Sequence, residues 1–170
     1  DIQEYLFFFF FPTANINYRL EDSTIHYQEI LDDIDNAIEF CRNQEAKWGT
    51  TDANYIVCGY SAGGHLALLS AYTSSQKIKA LIALCPVTDI TDSTLLTHFQ
   101  KISLLNATMF LAGESFEQGD SLPAAYKLAS PRFRVRNVPA LLIHGTNDST
   151  VPFSQSVTMS KAIEGKGIPH

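Results

Sequence analysis

One serine lies in the pattern G-x-S-x-G, a spacing that suits a nucleophile for acyl transfer. The serine is Ser61, with Gly59 and Gly63 on either side of it. For such chemistry the hydroxyl must stand clear of the backbone, on a tight turn between a strand and a helix. Side chains two residues before and after the serine would collide with that strand and helix, so we expect both glycines to be needed for space.

The residues around Ser61 predict the strand and the helix that the motif requires. Tyr55–Cys58 is a short apolar run typical of a buried strand, and an apolar helix is predicted over Ala62–Tyr72. A helix that begins beside Ser61 leaves its first N–H groups without partners and places its positive dipole end there. We therefore predict the N–H of Ala62 as the first donor to an oxyanion.

An aspartate follows a second apolar strand, which is predicted over Ala140–Ile143. This residue, Asp148, comes just after the carboxyl end of the strand. In open α/β sheets that end is the edge at which ligands bind. A carboxylate there can accept a hydrogen bond from a histidine and stabilise its charged form. We predict Asp148 as the catalytic acid.

Three other aspartates compete for the role of acid. Asp52 precedes the strand that leads to the serine, so it belongs at the wrong edge of the sheet. Asp92 is the second rival, and Asp89 follows a strand predicted over Ala80–Cys85 and therefore lies at the correct edge. Of these, Asp89 is the serious competitor.

The sequence offers only a weak candidate for the base. His170 is the one histidine that follows Asp148. The predicted helix Phe153–Glu164 fills the space before it, and Ile168–His170 looks like the beginning of a final strand of about five residues. A base is expected on a loop after such a strand, which disfavours His170.

The other four histidines have different expected roles. His65 lies one helical turn after Ser61 and is expected to point along its helix. His144 lies in the bend after its strand and is expected to hold that loop. His26 and His98 are expected to be surface or core residues.

The alternation of strands and helices predicts an α/β domain of three layers, α/β/α, with a mostly parallel sheet. A strand is predicted over Phe7–Tyr18, and a helix follows the cap cluster Asp22–Thr24 and closes at a turn containing Gly49. Residues 93–129 are mixed and mostly helical in pattern. With 170 residues and no linker or repeat, a single domain over residues 1–170 is expected.

Composition and charge narrow the classes of partner. The net charge is -6 and no basic cluster is present, which disfavours a nucleic-acid partner. The apolar run Leu6–Phe11 is too short to span a membrane and lacks the features of a signal peptide, so a cytoplasmic location is favoured. The spacings of Cys41, Cys58 and Cys85 suit buried free thiols and no metal site. No cofactor-binding loop is evident.

Several stretches resemble the esterase and lipase branch of the α/β-hydrolases, with the acetyl-esterase and acetylxylan- or feruloyl-esterase-like members nearest. They are NYRL at 17–20, GYSAGGHLA at 59–67, CPVTD at 85–89, ASP at 129–131 and PALLIHGTNDSTVP at 139–152. The IHGTND stretch is shared with prolyl-oligopeptidase-type peptidases. The resemblance implies Ser61 as nucleophile and Asp148 as acid.

The resemblance also implies two parts that these 170 residues lack. Relatives carry a glycine-rich HGGG segment that supplies a second oxyanion donor, and a histidine beyond the final strand. We therefore expect a fragment of the α/β-hydrolase fold, incomplete at both ends.

Three functions remain open at this point. The first is a serine carboxylic-ester hydrolase that acts through an acyl-enzyme on small acyl esters or acetylated carbohydrate. The second is a non-catalytic fragment or interaction module, whose exposed strand edges could lead to a homo-oligomer. The third is a prolyl-oligopeptidase-like peptidase or a formamidase.

Overall fold

The computed structural model describes residues 12–50, 54–117 and 120–170 of the chain. No helix in these ranges is long and apolar enough to cross a membrane. The helices and strands of these ranges are, in chain order, α1 Tyr27–Trp48, β1 Tyr55–Tyr60, α2 Ala62–Thr73, β2 Ile78–Leu84, α3 Ser93–Lys101, α4 Leu105–Ala112, α5 Ala124–Leu128, a 3-10 turn Pro131–Phe133, β3 Ala140–Ile143 and α6 Ser154–Glu164.

The three strands form a parallel sheet in the order β1-β2-β3. Backbone hydrogen bonds continue the ladder just past the strands. The Ser61 N–H donates to the Leu84 carbonyl at 2.8 Å, and the Cys85 N–H donates to the Ile143 carbonyl at 2.7 Å. The segments that follow β1, β2 and β3 therefore lie side by side at one edge of the sheet. The predicted α/β class and parallel sheet are confirmed.

One face of the sheet is covered by α1, α2 and α6. Ile34 of α1, Leu68 of α2 and Met159 of α6 are at most 7% exposed and belong to one core cluster with Leu81 and Ala83 of β2. Because burial of apolar surface contributes roughly 25 cal/mol per Å², these contacts hold the helices on the sheet. Packing on this face therefore determines the direction of α2 relative to the strands.

The opposite face of the sheet is apolar and exposed to solvent. Ile56 and Tyr60 of β1 are 55% and 68% exposed, and Leu141 and Ile143 of β3 are 50% and 49% exposed. Helices on both faces were expected, and within the described ranges they lie on one face. The apolar runs predicted the strands correctly, because a run of this kind marks a strand without telling which faces are covered.

Burial of the cysteines differs from the prediction. Cys58 is exposed, since it alternates with Tyr55 and Val57 along β1 and so shares the uncovered face. Cys41 and Cys85 are partly buried, and all three are free thiols.

The segment before α1 is irregular where a strand was predicted. Of the predicted strand Phe7–Tyr18, residues 7–11 lie outside the described residues, and residues 12–18 pair with no strand. The guanidinium of Arg19 donates to the Asp33 carboxylate at 2.7 Å and to the Glu29 carbonyl at 2.9 Å. These bonds hold the segment before α1 against that helix, so residues 12–18 do not pair with a strand despite their alternating sequence.

The start of α1 is also later than the sequence predicted. The Asp22 carboxylate accepts from the N–H groups of Thr24 and Ile25 and so closes a turn of its own. The helix begins at Tyr27 and ends, as predicted, at Gly49, whose φ of 71° is left-handed.

A buried polar network joins the segment after β2 to α6. The Gln155 side chain is 1% exposed, and its amide oxygen accepts from the backbone N–H groups of Thr88 and Asp89, each at 2.9 Å. Its amide nitrogen donates to the Asp92 carboxylate at 3.1 Å. The network fixes α6, and with it the end of the loop before α6, relative to β2.

We predict that Gln155→Met lowers the free energy of unfolding by roughly 2–4 kcal/mol, because two buried N–H groups lose their acceptor. Urea unfolding measures the change. Val157→Ala, on the more exposed side of the same helix, is the control and should change it by no more than about 0.5 kcal/mol. Equally small effects of both substitutions would contradict the role of the network.

Candidate active site

Ser61 lies on a strained turn between β1 and α2. Its φ of 54° and ψ of -115° fall in a region that side chains other than glycine rarely adopt. Such a conformation costs on the order of 1–3 kcal/mol and persists only where the surroundings enforce it. Here the Ser61 N–H is held by Leu84, and the Ser61 carbonyl accepts from the His65 N–H at 3.0 Å. This geometry is the predicted strand-turn-helix setting of G-x-S-x-G.

The turn is crowded at Gly59 and Gly64, whereas the sequence predicted crowding at Gly59 and Gly63. A Cβ on Gly59 would lie 2.0 Å from the Gly63 carbonyl oxygen, which no side chain can tolerate. A Cβ on Gly63 would meet nothing within 4 Å among the described residues, so the expectation for Gly63 is wrong there. Gly64 is the second crowded position, because its Cβ would lie 3.1 Å from the carbonyl oxygens of Gly59 and Leu84. The backbone of α2 approaches the ends of β1 and β2 closely at these two residues.

Ala62 is the first residue of α2. Within the described ranges no backbone carbonyl accepts from its N–H. An N–H in this position has no partner in its own helix and lies at the positive end of the helix dipole. It can therefore donate to an anion that develops beside Ser61.

Asp148 lies in the loop after β3, at the same edge of the sheet as Ser61. One carboxylate oxygen accepts from the N–H groups of Thr150 and Val151 at 2.8 and 2.9 Å. The bond from Val151 and then that from Thr150 lower the pKa of Asp148, and the neighbouring His144 lowers it further. The other oxygen lies 3.5 Å from His144 Nε2. The carboxylate is thus ionised and held by its own loop.

Two histidines hold this loop in place. His144 has a side chain only 1% exposed; its Nε2–H donates to the Val151 carbonyl at 3.0 Å, and its Nδ1 accepts from the Ser156 hydroxyl at 2.7 Å. His98 Nε2 donates to the Ser149 carbonyl at 3.1 Å. The prediction that His144 holds the loop is confirmed. The contact from His98 of α3 was not predicted, because nothing local in the sequence links residue 98 to residue 149.

Tyr60 connects the surroundings of Ser61 with those of Asp148. The pKa of the exposed Tyr60 hydroxyl is raised, chiefly by the neighbouring Cys85 and to a smaller extent by the negative charge of Asp148. The residue directly before Ser61 is therefore within electrostatic range of the Asp148 carboxylate. Ser61 follows β1 and Asp148 follows β3, so both lie at the same edge of the parallel sheet.

The rival acids have structural partners. The Asp89 carboxylate is 3% exposed and accepts from the Arg132 guanidinium at 2.6 Å. Asp92 caps α3 by accepting from the Thr94 N–H at 2.9 Å. Asp52 lies outside the described residues. Among the described residues, the second carboxylate oxygen of Asp148 accepts no hydrogen bond and has only His144 Nε2 near it, at 3.5 Å, whereas both oxygens of Asp89 accept hydrogen bonds.

The structure does not bring His170 together with Ser61. Its Nε2 lies 2.8 Å from the Ser160 hydroxyl on α6. The preceding Pro169 accepts through its carbonyl from the Ala140 N–H at the first residue of β3. His170 thus lies at the opposite end of β3 from Asp148, in agreement with the geometric argument against it.

Two further histidines are engaged elsewhere. His65 is buried and donates from Nδ1 to the Val87 carbonyl at 3.0 Å. His26 donates from Nδ1 to the Phe110 carbonyl at 2.9 Å. Across the described ranges, no group of three histidine, cysteine or acidic side chains is arranged to hold a metal ion.

The chain matches known proteins along most of its length. The model of the BD-FAE family matches residues 3–163. Esterase LipQ from Mycobacterium tuberculosis is 26% identical over 165 residues, which is 91% of this chain and 38% of LipQ. Dipeptidyl peptidase 4 from Bos taurus is 29% identical over 147 residues, which is 80% of this chain and 17% of that enzyme. The chain thus spans well under half the length of both.

A solved structure shows the same fold. The truncated form of a carbohydrate esterase from gut microbiota superposes with a TM-score of 0.71 and 20% identity, over 91% of this chain and 62% of that one. The fold is that of the α/β-hydrolases, and the described residues form an open sheet of three parallel strands.

The first prediction from this geometry compares two glycines. Gly59→Ala should lower the free energy of unfolding by at least about 3 kcal/mol, because the new methyl group collides with backbone. Gly63→Ala should be neutral or stabilising by up to about 1 kcal/mol, because alanine favours a helix with open space beside it. Chemical denaturation of both variants measures the difference. Similar destabilisation by both would contradict the packing described at the turn.

The second prediction concerns pH. Burial lowers the pKa of His65 to about 4, whereas an unfolded histidine has a pKa of about 6.5. The unfolded state therefore binds the proton more readily, and the contribution of His65 to stability is lost as pH falls from about 6.5 to about 4, by roughly 3 kcal/mol in total.

Unfolding free energies of the protein and of His65→Leu, measured between pH 7 and pH 4, isolate this effect. As pH falls, the free energy of unfolding of the parent protein should decrease more than that of the variant. A difference between the two that stays constant with pH would contradict the burial of a neutral imidazole.

Proposed function

The chain belongs to the BD-FAE family, and we propose on that basis that it is the core of a serine carboxylic-ester hydrolase. Ser61 acts as nucleophile, Asp148 as acid and the Ala62 N–H as an oxyanion donor. The observation that carries the proposal is the strained backbone of Ser61 between β1 and α2. Such strain costs folding free energy, so its presence at the nucleophile position is explained by function.

The proposed reaction has two steps. The Ser61 oxygen attacks the ester carbonyl carbon and gives its proton to an imidazole, while the negative carbonyl oxygen accepts from the Ala62 N–H. Collapse of this intermediate breaks the bond to the leaving alcohol, which takes the proton from the imidazolium. Water then hydrolyses the acyl-enzyme in the same way and restores the Ser61 hydroxyl.

The imidazole of this reaction is proposed to come from a part of the whole protein outside these 170 residues. Of the five histidines in the sequence, those at 26, 65 and 98 donate to backbone carbonyls, that at 144 is bound on both ring nitrogens, and that at 170 lies at the far end of β3. Among the described residues, none of them is hydrogen-bonded to the Ser61 hydroxyl. Asp148 would orient the incoming ring and stabilise its charge.

The substrate class is proposed to be small acyl esters or acetylated carbohydrate. The support comes from the names of two similar proteins, an esterase and a carbohydrate esterase. A peptidase or amidase is the second candidate, which the 29% identity to dipeptidyl peptidase 4 favours. Assays with p-nitrophenyl acetate, acetylated xylo-oligosaccharide and amino-acyl p-nitroanilides separate the two.

An interaction module without catalysis is a further alternative, favoured by the exposed apolar sheet face of Ile56, Tyr60, Leu141 and Ile143. Exposed apolar patches on soluble proteins are commonly interaction sites. Such a module should self-associate, as sedimentation would show, and should have negligible ester turnover.

We predict that a fluorophosphonate probe labels Ser61 in the whole protein and that Ser61→Ala abolishes both labelling and turnover of p-nitrophenyl acetate. Loss of a nucleophile lowers turnover by on the order of a million-fold in other serine hydrolases. Asp148→Asn should lower turnover by on the order of ten-thousand-fold and leave the protein folded.

Asp89→Asn is the matched control for the acid. It should act mainly on stability, by roughly 1–3 kcal/mol, because the buried carboxylate loses its charge-assisted hydrogen bond from the Arg132 guanidinium. A protein that is shown to be folded and yet takes up no probe would end the proposal. Loss of turnover in Asp89→Asn with unchanged stability would transfer the role of acid to Asp89.

A further inference from the structure

His65 occupies a costly position one helical turn after Ser61. Its side chain is 2% exposed, and its Nδ1–H donates to the Val87 carbonyl at 3.0 Å. Because a carbonyl can only accept, Nδ1 carries the proton, and the neutral ring leaves a lone pair on Nε2. Nε2 is buried and has no hydrogen-bond partner among the described residues.

Core packing alone does not explain this residue. A buried acceptor without a partner costs free energy, and an apolar side chain of similar volume would avoid that cost. What the imidazole provides and an apolar side chain does not is the bond to Val87.

The bond to Val87 holds the bend after β2, residues 84–87, against the turn that carries Ser61. At one end of the bend the Ser61 N–H donates to Leu84, and at the other end the His65 ring donates to Val87. Between them Cys85 has a positive φ of 39°, which a residue other than glycine rarely adopts. A Cβ on Gly64 would lie 3.2 Å from the Pro86 Cβ, so α2 and the bend are in direct contact.

The clamped segment leads directly to the Asp148 side of the site. Thr88 follows Val87 and donates its N–H to Gln155 at the start of α6. The loop with Asp148 runs from β3 to α6 and is bound to α6 through Ser156 and His144. One set of hydrogen bonds thus joins the helix after Ser61 to the helix after Asp148.

We infer that His65 is a positioning residue, whose Nδ1–H bond to Val87 sets the placement of Ser61 relative to the Asp148 loop. The inference rests on the proposed function, because it concerns the rate of that reaction. The ring is bound away from the Ser61 hydroxyl and takes no proton in the reaction. Its contribution lies in geometry, to which acyl transfer is sensitive at the scale of about 1 Å.

Three substitutions at His65 in the whole protein test the inference. Asparagine places an amide N–H where Nδ1 stands, glutamine places one where Nε2 stands, and leucine fills the volume with no donor. Per titrated active site, His65→Gln and His65→Leu should lower kcat on p-nitrophenyl acetate by about tenfold or more, with KM within about twofold. His65→Asn should stay within about threefold of the parent kcat, although the smaller side chain leaves a cavity and lowers stability.

The control is Ser70→Ala, on the same helix. Ser70 is as buried as His65, and its hydroxyl also has no partner among the described residues. Its kcat and KM should match those of the parent protein. A kcat that is equal in the asparagine, glutamine and leucine variants, or that follows their stability, would overturn the inference.

Hydrogen exchange at the Thr88 amide provides a readout that needs no activity. Exchange should be about tenfold faster in the glutamine and leucine variants than in the asparagine variant, because the bend is released. Absence of ester turnover and of probe labelling in the parent protein would be a failure of the proposed function alone. Exchange that is unaffected by the loss of the Nδ1 donor would overturn the positioning role whatever the activity.

Discussion

The close approach of two backbone segments at Gly59 and Gly63 is the constraint on which the rest of the site depends. The 2.0 Å separation that a Cβ on Gly59 would have from the Gly63 carbonyl leaves room for a hydrogen atom alone. Within that space the chain must turn from strand to helix in one step, which forces Ser61 to a positive φ. The ladder bond from Ser61 to Leu84 then fixes the turn at the edge of the sheet.

The second requirement is that the acid loop keeps its place relative to that turn. Buried polar groups after β2 satisfy this requirement. Their directional hydrogen bonds fix the position of α6 relative to β2, which apolar packing alone would not do. Gln155 binds the segment after β2 to α6, and Arg132 neutralises Asp89 within that segment. Asp148 depends on this scaffold but takes its own bonds from Thr150 and Val151, so its second oxygen remains available.

The features of the site that depend on local geometry could be predicted from the sequence. The turn at Ser61, the strand before Asp148 and the free N–H of Ala62 each follow from a few adjacent residues. The need for glycine at residue 64, and not at residue 63, depends on the position of β2, which local pattern does not contain. The same limit applies to His98, whose contact with the Asp148 loop joins two elements far apart in the chain.

Predictions about which surfaces are covered failed for a related reason. Apolar residues on both sides of β1 predict a strand buried on both faces, yet Ile56 and Cys58 face solvent in the described structure. An alternating pattern before α1 predicted a strand, but the bonds of Arg19 to α1 take the chain elsewhere. Hydrophobicity reports which residues could be buried, and tertiary partners decide which of them are.

The most direct test is a crystal structure of the whole protein after reaction with a small alkyl phosphonate, which mimics the tetrahedral intermediate. We predict phosphorus bonded to the Ser61 oxygen, with the phosphonyl oxygen about 3 Å from the Ala62 nitrogen and the Asp148 carboxylate at the same edge of the sheet. A phosphonyl oxygen directed away from Ala62, or a phosphonylated serine on the opposite side of the sheet from Asp148, would contradict it.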